Sequence, residues 1–370
     1  MAREKLPIHA VILAGGRGTR FWPSSRTKTP KQLLEIVGKG TMLEQTVARI
    51  RPIADAGRIW TVTNLEQQAS LRKQLPQASR KRVLVEPVGR NTAAAIALAS
   101  LHIQKAAKGD VLMAVLPADH YIEDLAGYRK IVTLALDVAR EPGRMVVLGI
   151  PPTRPETGFG YIEKMEATIG RSGVPVYPVR RFTEKPALET ARAYLASGNY
   201  QWNAGMFFWR LSTFWAALEE FLPATHAQLV KLAAALGRPQ YQTELRKVYA
   251  KLENISVDYA ILERATRRSG DPQVFVVPAD VGWSDIGSWA AVYELLAKEP
   301  GQNIFAHAGH AMEASGNYVS GNGKFVAAIG VKDLIIVDTR DALLVCQRDR
   351  SQDVGKFVKW LEEQKKKELL

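Results

Sequence analysis

The 370-residue sequence predicts an α/β fold, in which a Rossmann-like, doubly wound mixed sheet precedes a small C-terminal β domain. Short apolar runs rich in β-branched residues alternate with segments whose apolar residues recur every three or four positions, as in βαβ units. A glycine-rich turn directly follows the first run, and short strands punctuated by Gly and Asn follow residue 303. We therefore expect a main domain over residues 1–300 and a β domain with a terminal helix over 301–370.

The periodicity predicts individual elements along the chain. Strands are expected at 10–13, 59–63, 82–85, 111–116 and 145–150, with helices at 42–50, 65–75, 92–106 and 128–139 between them. The strands at 161–165 and 176–182, with a helix at 188–195 and the apolar run 206–209, are expected to form an antiparallel insertion over the sheet. Further helices up to 262 and from about 288 complete the main domain.

Composition limits the kinds of partner. The formal charge of +13, from 50 Lys and Arg against 37 Asp and Glu, suits nucleic acid, an anionic membrane or small phosphorylated substrates. The basic residues are scattered without interleaved aromatics, so we expect no nucleic-acid binding. No apolar stretch of about 18 residues predicts a membrane span, and we expect a cytoplasmic protein without membrane contact. The single cysteine, Cys346, forms no intrachain disulfide.

The glycine-rich turn at residues 15–20 is the first functional signal. Glycines after a strand let main-chain N–H groups approach phosphate oxygens. The dinucleotide fingerprint fails because its last glycine would fall on Phe21, and no Gly-Lys-Ser/Thr completes a P-loop. The turn and the segment after it carry three cations, Arg17, Arg20 and Lys31, which predict a triphosphate ligand. The glycines alone would equally fit a solvated surface turn.

Two aspartates are candidate metal ligands. Asp119 and Asp285 each follow an apolar run, at 111–116 and 274–277. Mg²⁺ prefers hard oxygen ligands and usually takes one or two carboxylates, with phosphate and water completing its shell. An aspartate after a strand is also common as a helix cap or turn residue, so each position alone leaves both readings open.

Longer motifs carry a family resemblance. The run LAGGRGTRFWP at 13–23, continued by KTPKQLL at 28–34, resembles the signature of sugar-1-phosphate nucleotidylyltransferases. FWPSS at 21–25 and EPVGRNTA at 86–93 resemble the mannose-1-phosphate guanylyltransferase branch of that superfamily. The resemblance spans roughly residues 8–346 and includes PADH at 117–120, ETGFGYI at 156–162, FTEKP at 182–186, WNAGMF at 202–207 and WSDIGSW at 283–289.

The resemblance implies a nucleotidyltransferase fold, a short left-handed β-helix at the C-terminus and a homodimer. It also implies Mg²⁺-assisted, in-line transfer of a guanylyl group from GTP to α-D-mannose 1-phosphate, which gives GDP-mannose and diphosphate. The chain stops near residue 370, before the isomerase domain of longer, bifunctional members, so we expect no isomerase activity. The residues alone leave open another hexose 1-phosphate, dTTP or UTP as substrate, or a catalytically silent nucleotide-sugar sensor.

The resemblance also implies roles for single residues. Guanine offers donors at N1 and N2, and Glu86 at a strand end is a carboxylate suited to accept both. His120, Asp258 and Tyr259 are expected to be structural, because the reaction needs no obligatory proton transfer.

The implied catalytic residues are Arg17, Lys31 and Lys185, and the metal ligands are Asp119 and Asp285. The nucleotide-binding set is Ala14, Gly15, Gly16, Gly18, Thr19, Arg20, Glu86, Asn91, Thr92, Pro117 and Asp119, of which Asn91 and Thr92 would equally serve as helix caps. The sugar-binding set is Gly158, Glu184, Lys185 and Asn203.

Overall fold

A computed structural model describes residues 6–166, 173–268 and 270–370. Its strands are β1 (Ile8–Leu13), β2 (Ile59–Asn64), β3 (Val83–Glu86), β4 (Leu112–Pro117), β5 (Tyr121–Ile122), β6 (Met145–Ile150), β7 (Tyr161–Lys164), β8 (Tyr177–Thr183), β9 (Tyr200–Arg210), β10 (Val274–Pro278), β11 (Trp283–Ser284), β12 (Ile304–Phe305), β13 (Gly309–Met312), β14 (Tyr318–Ser320), β15 (Val326–Ile329), β16 (Leu334–Asp338) and β17 (Leu343–Gln347). Its helices are α1 (Met42–Ile50), α2 (Gln68–Gln74), α3 (Gln77–Arg80), α4 (Asn91–Ala106), α5 (Leu125–Ala139), α6 (Leu188–Ser197), α7 (Leu211–Phe221), α8 (Pro223–Ala235), α9 (Tyr241–Lys251), α10 (Glu263–Thr266), α11 (Trp289–Leu296) and α12 (Val354–Glu363).

A large mixed sheet organises the main domain. Within the described residues its strand order is β3-β2-β1-β4-β9-β6-β10-β8-β7. Strands β1 to β4 pair in parallel, as do β6 and β10. Strand β9 runs antiparallel between β4 and β6, where Phe208 lies opposite both Ala114 and Val146. The predicted doubly wound mixed α/β sheet is therefore confirmed.

The expected antiparallel insertion does not lie over the sheet, and that part of the prediction was wrong. Strands β7 and β8 extend the same sheet at its far edge, with Ile162 opposite Phe182. The length of β9 explains the difference, since its second half pairs with β4 while Trp202 in its first half lies opposite both Ile150 of β6 and Tyr161 of β7. The expected helix at 65–75 is also shorter, because only Gln68–Gln74 is helical.

Apolar side chains fill both faces of the sheet. Successive residues of β1 alternate, so that Val11 packs with α4, α7, α8 and α9 on one face, whereas Ala10 and Ile12 pack with α1 and α5 on the other. Both faces are covered, as expected for a doubly wound sheet, and the central residues of β1 are fully buried. The carboxyl ends of the parallel strands are consequently where ligands can approach.

The residues after about 303 form a small β unit. Strands β12, β14 and β16 pair in parallel, and so do β13 and β15, while β17 closes the edge antiparallel to β16. Buried Asn317 ties successive turns together, because its Nδ2 donates to Asn303 Oδ1 at 2.8 Å and to the Val331 carbonyl at 3.0 Å. Stacked parallel passes of this kind form a β-helix-like unit. Its left-handed sense stays a prediction.

Helix α12 returns from this unit to the glycine-rich turn. Val354, Val358 and Leu361 belong to one buried cluster with Phe21 and Trp22, which directly follow that turn. The Trp22 indole also donates to the Leu369 carbonyl at 2.9 Å. The last residues of the described chain therefore support the glycine-rich turn of the main domain.

We expect Leu361→Ala to detach α12 from this cluster, because Leu361 is only 1% exposed. Loss of a buried leucine side chain typically costs about 2–5 kcal/mol, which lowers the melting temperature by several degrees. The measurement is a thermal melt beside Lys359→Ala, an exposed position on the same helix. Equal melting temperatures for the two variants would contradict this packing.

Candidate active site

A cleft lies at the carboxyl ends of the parallel strands. Its cavity of about 520 Å³ is bounded by the residues that follow β1, β3 and β4 and by residues of β9. Most of the residues predicted from the sequence line it together, namely Ala14, Gly15, Gly16, Glu86, Asn91, Thr92, Pro117, Asp119, Gly158, Glu184, Asn203 and Asp285. The remaining predicted residues, Arg17, Gly18, Thr19, Arg20, Lys31 and Lys185, lie behind or beside this cavity.

Lys31 joins three strand-end loops. Its ammonium donates to Asp119 Oδ2 at 3.0 Å and to the carbonyl of Asp285 at 2.6 Å. The residue is only 4% exposed, so these oxygens replace the water that a buried ammonium loses. One cation thus holds the loops after β1, β4 and β11 at a fixed separation.

The two candidate metal ligands face the same cavity. Burial alone would raise the pKa of Asp119, but the charge and the hydrogen bond of Lys31, with a contribution from His120, outweigh it and hold that pKa below its usual value. Burial raises the pKa of Asp285 against the opposing charges of Lys31 and Arg20. Within the described residues no group of three or more His, Cys, Asp or Glu could hold a metal. A pair of carboxylates beside bound phosphate is nevertheless a donor set that fits Mg²⁺.

Gly18 and Gln32 shape the glycine-rich turn from behind. A Cβ on Gly18, whose φ is +62°, would clash with the Cβ of Lys31, so glycine is needed there for Lys31 to pack. The buried amide of Gln32 donates to the carbonyls of Ala14 and Gly16, each at 3.0 Å. These carbonyls therefore point away from the cleft. Gln32 was absent from the sequence-based set because no pattern marks a buried amide as a loop support.

Arg17 and Arg20 contact the C-terminal segment instead of the cavity. Arg17 Nη1 lies 2.6 Å from Glu362 Oε1, and Arg20 Nη1 donates to Gln352 Oε1 at 2.6 Å. Thr19 also lies against this segment, with its hydroxyl near Gly355. Arg20 additionally lines an adjoining cavity of about 500 Å³ that shares Gly158, Phe159 and Asp285 with the cleft. Arg20 therefore lies at the cleft margin, whereas the Arg17 guanidinium lies against α12.

Glu86 lines the cleft as a buried carboxylate. Burial raises the pKa of Glu86 to about 7, although hydrogen bonds from the Tyr249 side chain and the Arg90 backbone lower it in part. A Cβ on Gly15 would lie 3.5 Å from Glu86 Oε2, so this oxygen borders the glycine-rich turn. The guanine assignment therefore rests on the position of this carboxylate in the cleft wall.

Asn91 and Thr92 combine local structure with a position on the cleft wall. Asn91, at a φ of +63°, accepts the Thr92 N–H at 2.8 Å through its side chain. The Thr92 hydroxyl accepts the Val257 N–H at 2.9 Å. The Thr92 hydroxyl therefore binds a distant segment and does not cap α4, whose N-cap residue is Arg90 without a side-chain cap hydrogen bond. Asn91 and Thr92 both line the cavity, and their contact with a ligand stays a prediction.

The candidate sugar residues form a polar cluster at the other end of the cleft. Asn203 donates to Asp258 Oδ1 at 2.8 Å, and Lys185 Nζ lies 2.8 Å from Glu184 Oε1. The Glu184 hydrogen bond is the largest cause of a raised pKa for Lys185. A Cβ on Gly160 would lie 2.5 Å from Glu184 Oε2, so this glycine lets the carboxylate approach the backbone.

The contacts of Gly158, Asp258 and His120 bear on what the sequence predicted for this end of the cleft. The N–H of Gly158, expected at the sugar, donates to Glu156 Oε1 at 3.0 Å. Asp258 and His120, expected to be structural, both line the cleft. Burial, followed by the charge of Glu184, raises the pKa of Asp258 to about 6. His120 Nδ1 accepts the Trp283 indole N–H at 3.2 Å. Sequence motifs contained both residues, but no spacing showed that their side chains face the cavity.

No helix of the described residues is long and apolar enough to cross a bilayer.

Comparisons with known proteins agree with the fold and the motifs. The sequence profile of the nucleotidyl transferase family matches residues 9–300, and that of the MannoseP isomerase/GMP-like beta-helix domain matches 311–361.

Individual relatives cover nearly the whole chain. Mannose-1-phosphate guanylyltransferase from Klebsiella pneumoniae is 38% identical over 97% of this chain and 74% of the relative. Xanthan biosynthesis protein XanB from Xanthomonas campestris pv. campestris (strain ATCC 33913) is 41% identical over 96% of this chain and 73% of the relative. A crystal structure described as mannose-1-phosphate geranyltransferase from Thermus thermophilus has a TM-score of 0.85 at 34% identity, covering 96% of this chain and 100% of that one. The resemblance inferred from the motifs is confirmed, and the chain belongs to the nucleotidyl transferase family, within its mannose-1-phosphate guanylyltransferase branch.

Proposed function

We propose that this protein transfers a guanylyl group from GTP to α-D-mannose 1-phosphate, forming GDP-mannose and diphosphate with Mg²⁺. The observation that carries the proposal is the contact of Lys31 with Asp119 and with the Asp285 carbonyl at the floor of one cleft. Curated relatives along 97% of the chain are named mannose-1-phosphate guanylyltransferase, which supports the same reaction.

The reaction we propose brings two polyanions together, so charge neutralisation is the main task of the site. The sugar phosphate oxygen attacks the α-phosphorus of GTP, and diphosphate leaves on the opposite side. Mg²⁺, held by Asp119 and Asp285, would screen the phosphate charges. Lys31 would then turn its ammonium from Asp119 towards phosphate oxygens, with Arg17 and Arg20 binding the outer phosphates.

Substrate selection would come from the two ends of the cleft. We assign the guanine N1 and N2 donors to Glu86, the carboxylate that lines the cleft at the end of β3. We assign the mannose hydroxyls to Glu184 and Asn203, and the 1-phosphate to Lys185. Asp258 accepts from the Asn203 amide at 2.8 Å, and the Asn203 Oδ1 accepts the Gly205 N–H at 3.0 Å, which fixes the amide orientation and leaves its second N–H for a sugar hydroxyl.

We also propose that the protein is a homodimer and acts in the cytoplasm. Met312, Phe325 and Ile329 of the β unit are each more than half exposed, and burying them against a second copy would remove apolar surface from water. The solution mass from light scattering tests this, since a dimer has twice the mass of a 40.9 kDa chain.

The direct test is incubation with GTP, mannose 1-phosphate and Mg²⁺, followed by chromatography for GDP-mannose. A panel of dTTP, UTP and other hexose 1-phosphates, followed by diphosphate release, distinguishes the alternative substrates. Chelation with EDTA should stop product formation, and added Mg²⁺ should restore it. A protein that binds GDP-mannose but makes none under these conditions would be a sensor, and the proposal would be wrong.

We expect Asp119→Asn to reduce kcat by about a hundredfold or more, because the substitution removes a metal ligand and the charge opposite Lys31. The matched control is Asp280→Asn, the same change at an exposed position outside the cleft. Steady-state kinetics beside a thermal melt separates lost chemistry from lost folding. If a folded Asp119→Asn enzyme keeps kcat within about threefold of wild type, Asp119 has no role in the mechanism.

We expect GTP affinity to depend on the ionisation of Glu86. Its raised pKa of about 7 means that the carboxylate is protonated as the pH falls below 7, so KM for GTP should rise there. Glu86→Gln should relax selectivity against other nucleoside triphosphates and flatten this pH dependence between about pH 6 and 8.

The phosphates of GTP also titrate in this range, so the variant and wild type must be compared on the same substrate. Glu66→Gln, at an exposed position outside the cleft, is the control and should keep the wild-type profile. Unchanged selectivity and an unchanged pH profile in Glu86→Gln would show that backbone groups, and not Glu86, recognise guanine.

A further inference from the structure

A second cavity lies beside the edge strand β3, separate from the cleft. It has a volume of about 390 Å³, within the range of small-ligand sites. Apolar side chains from β2, β3, α4 and α9 form its wall, namely Trp60, Leu84, Leu98 and Leu245. Gln68 and Gln242 add side-chain amides to the same lining. The wall therefore offers both a surface for a flat apolar group and hydrogen-bonding groups for its edge.

Three cations surround the mouth of this cavity. Arg72, Lys81 and Arg246 line it from exposed positions, and no carboxylate lines it within the described residues. Across the same part of the chain, none of the three makes an ion pair. Three unpaired cations that converge on one concave surface repel one another, and an anionic ligand would remove that repulsion.

The surroundings of the cavity add to this positive field. Arg82 stacks over the Trp60 ring at 4.6 Å, and Arg58 lies close enough to lower its pKa, although burial is the larger cause. Burial, followed by the charges of Arg58 and Arg82, lowers the pKa of His9 to about 4. His9 is therefore neutral near pH 7 and accepts the Trp60 indole N–H at 3.0 Å.

We propose that this second cavity binds a nucleoside phosphate. The apolar wall suits the base, Gln68 and Gln242 suit donors and acceptors on its edge, and Arg72, Lys81 and Arg246 suit the phosphates. Nucleoside phosphates are also the class of molecule that the family's reaction consumes and releases. The inference rests on this cavity and does not require the proposed function to be right.

The cavity shares two elements with the cleft. Val83, Leu84, Val85 and Pro87 line the second cavity, whereas Glu86 lines the first, so strand β3 contributes to both. Helix α4 has its first residues at the cleft and Leu98 and His102 at the second cavity. A ligand that shifts β3 would therefore also move Glu86, the candidate guanine acceptor.

The test is equilibrium dialysis with GDP, which compares the wild type with Arg72→Ala/Arg246→Ala. Both positions are exposed, so the double variant should keep its fold, and a thermal melt checks this. We expect the double variant to bind one GDP fewer per chain than the wild type. The control Lys130→Ala/Lys231→Ala removes two exposed helix cations elsewhere and should lose none. Equal stoichiometry in the wild type and the Arg72→Ala/Arg246→Ala variant would overturn the proposal.

Two further results complete the test. If the cleft does not bind GDP, the wild type binds one and the double variant none, which separates failure of the proposed function from failure of this inference. Inorganic diphosphate at the same concentration should displace the second GDP poorly, since it lacks the base. Equally effective displacement by diphosphate would reduce the cavity to a simple anion site and contradict the assignment of a nucleoside.

Discussion

The ammonium of Lys31 is the contact on which the site depends. It is almost fully buried and has one carboxylate and one carbonyl as partners, each from a different strand-end loop. The ammonium is buried, whereas the Asp119 side chain is 38% exposed, so solvent screens the pair more than it would a fully buried one. The same interaction that positions the loops therefore keeps a cation beside two aspartates. When a polyanion enters, this cation can exchange its partners without leaving the site.

The C-terminal β unit and α12 complete this arrangement from outside the sheet. Arg17 meets Glu362 across 345 residues of sequence, and Trp22 is fixed by the Leu369 carbonyl. The Arg17 pair is partly exposed, so its stability contribution is small. The apolar contacts of Trp22, Val358 and Leu361 hold the helix in place. Buried apolar contacts thus support the glycine-rich turn, and the charge of Glu362 orients Arg17.

The sequence predicted the parts of the site that follow strands. Gly15, Glu86 and Asp119 converge because parallel strands end at one edge of the sheet, and the short apolar runs located those strands. It did not predict that β9 crosses the middle of the sheet, since an antiparallel buried strand has the same apolar composition as a parallel one. The sequence also did not predict that Arg17 pairs with Glu362 or that the Asp258 side chain faces the cleft. Those depend on tertiary packing between distant segments, which leaves no local pattern.

Occupancy of the metal site tests the central claim most directly. A crystal structure with Mn²⁺ in place of Mg²⁺ and a GTP analogue that does not turn over would locate the ion by its anomalous scattering. The account predicts Mn²⁺ bound by the carboxylates of Asp119 and Asp285 and by phosphate oxygen, with Lys31 Nζ moved from Asp119 to a phosphate. An ion bound away from both aspartates, or Lys31 unmoved beside a bound triphosphate, would contradict it.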